Sequence, residues 1–212
     1  MEQSETTPWI SNYVVSVLLD AEDAGYKTVL DRSKYIEQEE LNLKNSLASL
    51  EVLLDKDRLT VAKENLFSSL VFLNRLDPKA NYKEYFYAID KRLKSKTIKD
   101  KLLRALLISK LGITNELGIA DTVLQYASKT ILGGMYWTNR QLADQQLGVF
   151  LRPNETNTEN TLLAYRVLKT IGEQESVLEQ IRNYFFSHSG NKAVGVIYMS
   201  LHVLYKPSFL IC

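Results

Sequence analysis

The sequence predicts an all-α protein whose helices form antiparallel hairpins in two layers, as a barrel of concentric helices or an arc of one. Three observations carry this. Apolar residues recur at helical spacing along nearly the whole chain. Helices apolar on every side alternate with helices apolar on one side, so that some pack on both faces and others on one. The breaks between them are short and hold Gly, Pro or Asp, which makes sequential helices antiparallel neighbours. No strand alternation of useful length interrupts the pattern. A curved solenoid of helical repeats is the alternative. The stops at Gly25, Leu76-Asp77, Gly112 and Gly172 are unevenly spaced, which disfavours a strict short repeat such as a tetratricopeptide array.

The first helix opens at Thr7-Pro8, where Thr7 can cap and Pro8 loses nothing by lacking an N–H. Ile10, Tyr13, Val14, Val17, Leu18 and Ala21 share one face, and Gly25 can take the left-handed conformation that ends a helix. A charged helix over about 33–54 keeps Ile36, Leu43, Leu47, Leu50 and Leu54 in line, then breaks at Asp55-Lys56-Asp57. The third, about 60–76, turns apolar all round from Leu66 to Leu73 and ends at Asp77-Pro78. The fourth, about 82–94, lines up Tyr85, Phe86, Ile89 and Leu93. The fifth, about 98–111, is broadly apolar and stops at Gly112; a sixth, about 116–132, stops at Gly133-Gly134. Residues 135–154 read as mostly loop. Thr156-Asn157-Thr158-Glu159 has capping-box spacing and opens a helix to Ile171. An amphipathic helix follows over 175–188. Ser189-Gly190-Asn191 then leads to a last apolar helix over about 193–205, which Pro207 stops. The expected organisation is one helical domain over 1–206 with an apolar tail over 207–212.

A chain of 212 residues, 45% hydrophobic and 24% charged, can bury a good core as a single domain. Its net charge of +1 gives no push toward nucleic acid. No apolar run reaches the roughly 18 residues of a membrane span. No signal peptide is expected, since Glu2, Gln3, Ser4 and Glu5 follow Met1. The single cysteine, Cys212, rules out an internal disulfide and a cysteine-based zinc site, and reads as an unpaired thiol without a role.

Residues of catalytic type are scattered. There is no phosphate loop, nucleophile elbow or His-Glu-x-x-His, and Gly133-Gly134 stands alone. His188 and His202 fall in different predicted helices and read as helix-terminal or packed histidines. The carboxylates Asp20, Glu22 and Asp23, and Glu37, Glu39 and Glu40, read as solvated faces. No cofactor or metal is expected. Among the aromatics, Tyr82, Tyr85, Phe86 and Tyr87 at helical spacing read as core. Tyr136-Trp137, after two glycines, is the candidate interaction surface, with anchoring of the loop onto the core as the competing and preferred role.

Three segments carry a family resemblance. Trp9-Ile10-Ser11-Asn12-Tyr13-Val14-Val15-Ser16-Val17-Leu18-Leu19-Asp20-Ala21 through Gly25-Tyr26 resembles a recurrent helix of bacterial alpha-macroglobulins. Gly134-Met135-Tyr136-Trp137, followed by Thr158-Glu159-Asn160-Thr161-Leu162-Leu163-Ala164-Tyr165, resembles a loop and inner helix further along the same domain. Val177-Leu178-Glu179-Gln180-Ile181-Arg182-Asn183-Tyr184-Phe185-Phe186 resembles the next outer helix. Their order and spacing agree and cover most of the chain. The domain implied is the thioester-type domain, an α/α toroid of terpenoid-cyclase and prenyltransferase-subunit architecture. The family implied consists of large secreted or periplasmic proteins that trap proteases, some through an internal thioester. The thioester signature Gly-Cys-x-Glu-Gln lies upstream of the matching region and is absent, Glu2-Gln3 follows Met1, and Cys212 is at the wrong end. Ser189-Gly190-Asn191-Lys192-Ala193 stands where the family usually has a Gly-Trp-like, Thr-rich turn. No reactive residue carries over.

The expectation is therefore a non-enzymatic structural and interaction module, part of a longer exported protein of the periplasm or cell envelope. Its partners would be proteins, proteases among them through the larger parent, with no nucleic acid and no transmembrane segment. Two alternatives stand beside it. One is a helical-toroid enzyme on isoprenoid or glycan substrates, which needs acidic or metal-binding residues on its inner helices. The other is a cytoplasmic helical-repeat scaffold. The residues leave the oligomeric state open.

Overall fold

A computed structural model describes residues 8–23, 25–52, 58–92, 97–113, 118–138, 153–173 and 175–188. These residues are mostly helical, as expected. The helices are α1 (Pro8–Asp23), α2 (Arg32–Val52), α3 (Arg58–Leu76), α4 (Lys83–Arg92), α5 (Ile98–Lys110), α6 (Ile119–Leu124), α7 (Pro153–Thr170) and α8 (Glu175–His188). Strands β1 (Ala127–Lys129) and β2 (Met135–Trp137) lie between α6 and α7. The break Asp55-Lys56-Asp57, the polar run from Gln141 to Gln146, the expected last helix, His202, Cys212 and the 207–212 tail fall outside the described residues.

Helices α1, α3, α5 and α7 pack on one another in that order, and α2, α4 and α8 lean against α3 or α7. Helix α5 shows why an all-round apolar sequence is buried. Leu102 and Leu106 face a cluster with Val123, Met135, Trp137, Ala164, Tyr165, Leu168, Leu178 and Ile181. Leu103 and Leu107 are one step round the helix. They face a second cluster with Leu43, Leu66, Phe67, Leu70, Leu73, Phe86 and Ile89. Helix α3 divides similarly, because its Phe72 and Leu76 leave that second cluster for a small third one with Val15 and Leu19 of α1. The one-sided helices keep the other face wet: Leu41 and Lys44 on α2, Tyr87 on α4 and Phe186 on α8 are exposed.

Three stops read from the sequence share one geometry. Gly25, Gly112 and Gly172 have φ of +95°, +60° and +76°. The next residue's N–H reaches back over the last turn in each: Tyr26 to Ala21 O (3.0 Å), Ile113 to Ile108 O (3.0 Å), Glu173 to Leu168 O (2.9 Å). These are the Schellman bonds that satisfy otherwise orphaned carbonyls. Helix α5 also starts on a capping box, with Thr97 Oγ1 accepting from the Asp100 N–H (3.1 Å) and Asp100 Oδ2 from the Thr97 N–H (3.4 Å). Thr97→Ala is expected to cost about 1 kcal/mol in urea denaturation, with Thr97→Ser recovering most of it.

Three local expectations are corrected. The predicted capping box at Thr156-Asn157-Thr158-Glu159 does not open α7, which already starts at Pro153. Glu159 instead pairs with Lys99 Nζ at 2.7 Å, a bond to α5 that spacing along one helix cannot show. The carboxylate clusters are not wholly solvated. Glu39 is buried and accepts from Asn42 Nδ2, and Asp20 and Glu22 are held by arginines of other segments. The sixth helix stops at Leu124 rather than Leu132. Residues 127–129 pair with 135–137 because that pairing buries Met135 and Trp137, and burial outweighs the weak helix preference of Thr130-Ile131.

Of the tyrosine cluster, Tyr82 and Phe86 are core as expected, Tyr85 is half-buried and Tyr87 is exposed. Among the described residues the buried Tyr82 hydroxyl has no hydrogen-bond partner. Burial, then the charges of Glu40 and Asp77, push its pKa up to about 12. The unfolded tyrosine loses its proton near pH 10, so the fold loses stability as pH rises from about 10 toward 12. Tyr82→Phe should raise neutral-pH stability by up to about 1 kcal/mol and flatten that alkaline decline, read from urea midpoints across pH.

Candidate functional site

The expected loop at Met135 is a strand, and it forms the second arm of a β-hairpin. Ala127 faces Trp137, Ser128 faces Tyr136 and Lys129 faces Met135 in antiparallel register. The turn is closed by its own backbone and by Thr130. The Thr130 N–H donates to Gly134 O (2.7 Å), the Gly133 N–H to Thr130 O (3.0 Å), and the Gly134 N–H to Thr130 Oγ1 (2.8 Å). A two-stranded hairpin is marginal alone. This one is held by what lies beneath it.

Trp137 is fully buried. Its Nε1–H donates to Val123 O of α6 (2.9 Å), and its backbone N–H donates to Thr161 Oγ1 of α7 (3.1 Å). Thr161 is buried in turn, so each polar group of this contact is paired within the protein. Tyr136, next in the strand, points to the other side by the strand's period of two. It is half-buried and stacks on Tyr184 of α8, ring centroids 5.0 Å apart and planes 12° from parallel. Burial, with Tyr136 beside it, pushes the Tyr184 hydroxyl above its usual range. Two residues before Tyr184, Arg182 donates to Glu179 (2.8 Å), to Glu175 and to the Tyr165 hydroxyl (3.4 Å), which ties α8 to α7. Lys101 Nζ sits 4.0 Å over the ring of Tyr126 at the hairpin's base.

The two sequence candidates are thus side by side in the chain and differ in placement. Trp137 anchors the hairpin in the core, and Tyr136 joins it to α8. The exposed apolar residues here are Ile131 and Leu132, which project from the turn at 104% and 80% exposure. Periodicity placed them at the end of a helix. The signal available was Gly133-Gly134, which allows a tight reversal as readily as a helix end. With both side chains largely in solvent, replacing both by serine is expected to change the unfolding free energy by less than about 0.5 kcal/mol.

His188 is the last residue of α8. Asp100, an acid in the first turn of α5, serves as a cap. Among the described residues no group of three His, Cys, Asp or Glu side chains is placed to hold a metal ion, and no helix is long and apolar enough to cross a membrane. No protein-family model matches the chain, and comparisons with curated proteins and with solved structures return no match.

Proposed function

We propose that this chain is a non-enzymatic structural and interaction module, an arc of the α/α toroid found in the thioester-type domain of alpha-macroglobulin-like protease-trapping proteins. It has no thioester of its own and works within a larger exported protein of the periplasm or cell envelope. The observation that supports this reading is the packing order. Helices α3, α5 and α7 pack in that order and bury residues on more than one face, α1 packs against α3, and α2, α4 and α8 pack against α3 or α7. An inner row with outer partners is what an arc of a two-layered helical barrel requires.

On this reading the hairpin turn is a contact point. Ile131 and Leu132 are large aliphatic side chains on a turn fixed by three hydrogen bonds, so they meet a partner without first being ordered. The serine pair that leaves stability unchanged would then weaken association with the rest of the parent protein.

The test is an immunoblot of source cells with an antibody to this chain, after periplasm and cytosol are separated. A band several times larger than 24.3 kDa in the exported fraction is the expected result, and protease trapping is then measured on that whole molecule. A cytosolic band at 24.3 kDa overturns the reading and leaves a stand-alone helical scaffold.

A further inference from the structure

Among the described residues, the fold uses only one of the hairpin's outer edges. The bond from the Thr130 N–H to Gly134 O makes these residues a hydrogen-bonded pair. Bonded and non-bonded pairs alternate along antiparallel strands, so Ser128 and Tyr136 are the next bonded pair. The N–H and C=O groups of Ala127, Lys129, Met135 and Trp137 therefore point away from the hairpin. Trp137 shows it directly, because its outward N–H leaves the hairpin for Thr161 Oγ1 of α7 (3.1 Å). That edge, on β2, lies against α7.

The edge on β1 is different. The outward N–H and C=O groups of Ala127 and Lys129 have no hydrogen-bond partner among the described residues. Lys129 is exposed, and Ile131 and Leu132 stand bare just beyond it. Such an edge offers main-chain bonds to an extended chain, and the side chains around it select which chain is taken. Here the charges are positive. Lys129 stands on the edge itself, and Lys101 Nζ lies 4.0 Å over the ring of Tyr126, the residue before β1. A second copy paired edge to edge would bring these lysines toward their own counterparts. A carboxylate opposite Lys129 would instead form a cross-strand ion pair.

We propose that the outer edge of β1 captures an extended acidic segment of a protein partner as a third, antiparallel strand. The partner residues opposite Ala127 and Lys129 exchange main-chain bonds with them. The one opposite Lys129 is acidic. The one two before it is aliphatic, since antiparallel register sets it beside Ile131. The turn is already closed by the bonds of Thr130, so the edge is ordered before the strand arrives. The proposal deepens the contact assigned to the turn and rests on that contact alone. Whether a larger exported parent exists is decided separately by the immunoblot.

The probe is an end-blocked heptapeptide, Thr-Leu-Thr-Glu-Thr-Val-Thr, titrated into the isotope-labelled whole chain and followed by amide chemical shifts. Saturable shifts centred on residues 127–131 are expected. N-methylating the glutamate removes a donor that faces Lys129 and should weaken binding about tenfold. N-methylating the threonine before it alters a group that faces solvent, and should leave the affinity within about twofold. Lys129→Glu should weaken the peptide about fivefold and strengthen its lysine-for-glutamate counterpart by a similar factor. No saturable shift below about 1 mM peptide would overturn the proposal. So would equal losses from the two N-methyl peptides. Shifts at 127–131 that vanish on diluting the chain without peptide would give the edge to a second copy, and the acidic partner would fall. The N-methyl comparison uses the unaltered chain, so it decides the matter even if Lys129→Glu fails to fold.

Discussion

Trp137→Ala should be among the most damaging single substitutions in the described part of the chain, costing about 3–5 kcal/mol. The side chain is fully buried and packs within the cluster shared by α5, α6, α7 and α8. Truncation leaves a cavity too large for neighbours held in helices to fill. It also strips Val123 O of its partner at 2.9 Å, where the apolar surroundings offer no replacement. A domain of this size has only about 5–15 kcal/mol in hand, so the variant sits close to unfolding. Trp137→Phe keeps most of the volume and loses the hydrogen bond, and should cost about 1–3 kcal/mol. Urea denaturation followed by far-ultraviolet circular dichroism gives both values. If Trp137→Ala unfolds at nearly the parent midpoint, the anchoring role fails and a ligand-facing role for this residue returns.

The contrast between Trp137 and its neighbours shows what a sequence of this kind discloses. Helices were legible because their signals are local. The 3.6-residue spacing of Leu102, Leu103, Leu106 and Leu107 says that α5 is covered on two sides, and the glycines at 25, 112 and 172 mark their own Schellman turns. Pairings between distant segments left no local mark. Nothing in Asp20, Glu22 and Asp23 tells a reader that Arg75 and Arg166 will meet Asp20, because the partners lie 55 and 146 residues away. The same holds for Glu159, whose spacing fits a cap and whose partner is Lys99. The hairpin was missed for a different reason. Three-residue strands are too short to show alternation, and Thr130-Ile131-Leu132 continues the apolar rhythm of the helix before it. What decides the fold there is Trp137, which can reach the core only if the chain reverses at Gly133-Gly134. Of the candidate site, the aromatic pair was visible and its division of labour was not. Which of two adjacent residues faces inward depends on strand register, and register is set by the pairing partner.

Gly134→Ala tests how tightly that reversal is fitted, and it should cost about 2–3 kcal/mol. A β-carbon at Gly134 would lie 2.9 Å from both Cα and N of Tyr184 and 3.0 Å from Thr130 Oγ1. Two of those three atoms are backbone of α8, so no rotamer change relieves the contact, and the hairpin and helix must separate. Gly133 is the control. Its φ of +78° disfavours a side chain, yet a β-carbon there meets nothing within 4 Å. Gly133→Ala should therefore cost about 1 kcal/mol through backbone conformation alone. The two alanines also differ in kind. Gly133→Ala leaves the hairpin in place and the Tyr136–Tyr184 stack intact. Gly134→Ala moves β2 off α8, so the stack opens and the near-ultraviolet tyrosine dichroism weakens along with stability. Adding Thr130→Ala to Gly134→Ala should not restore the parent midpoint, since the helix backbone remains in the way. Equal costs for the two glycines, or full rescue by Thr130→Ala, would mean that the hairpin is not seated against α8 at Tyr184. Tyr136 would then lose its claim to join hairpin and helix, and the rigid presentation of Ile131 and Leu132 would go with it.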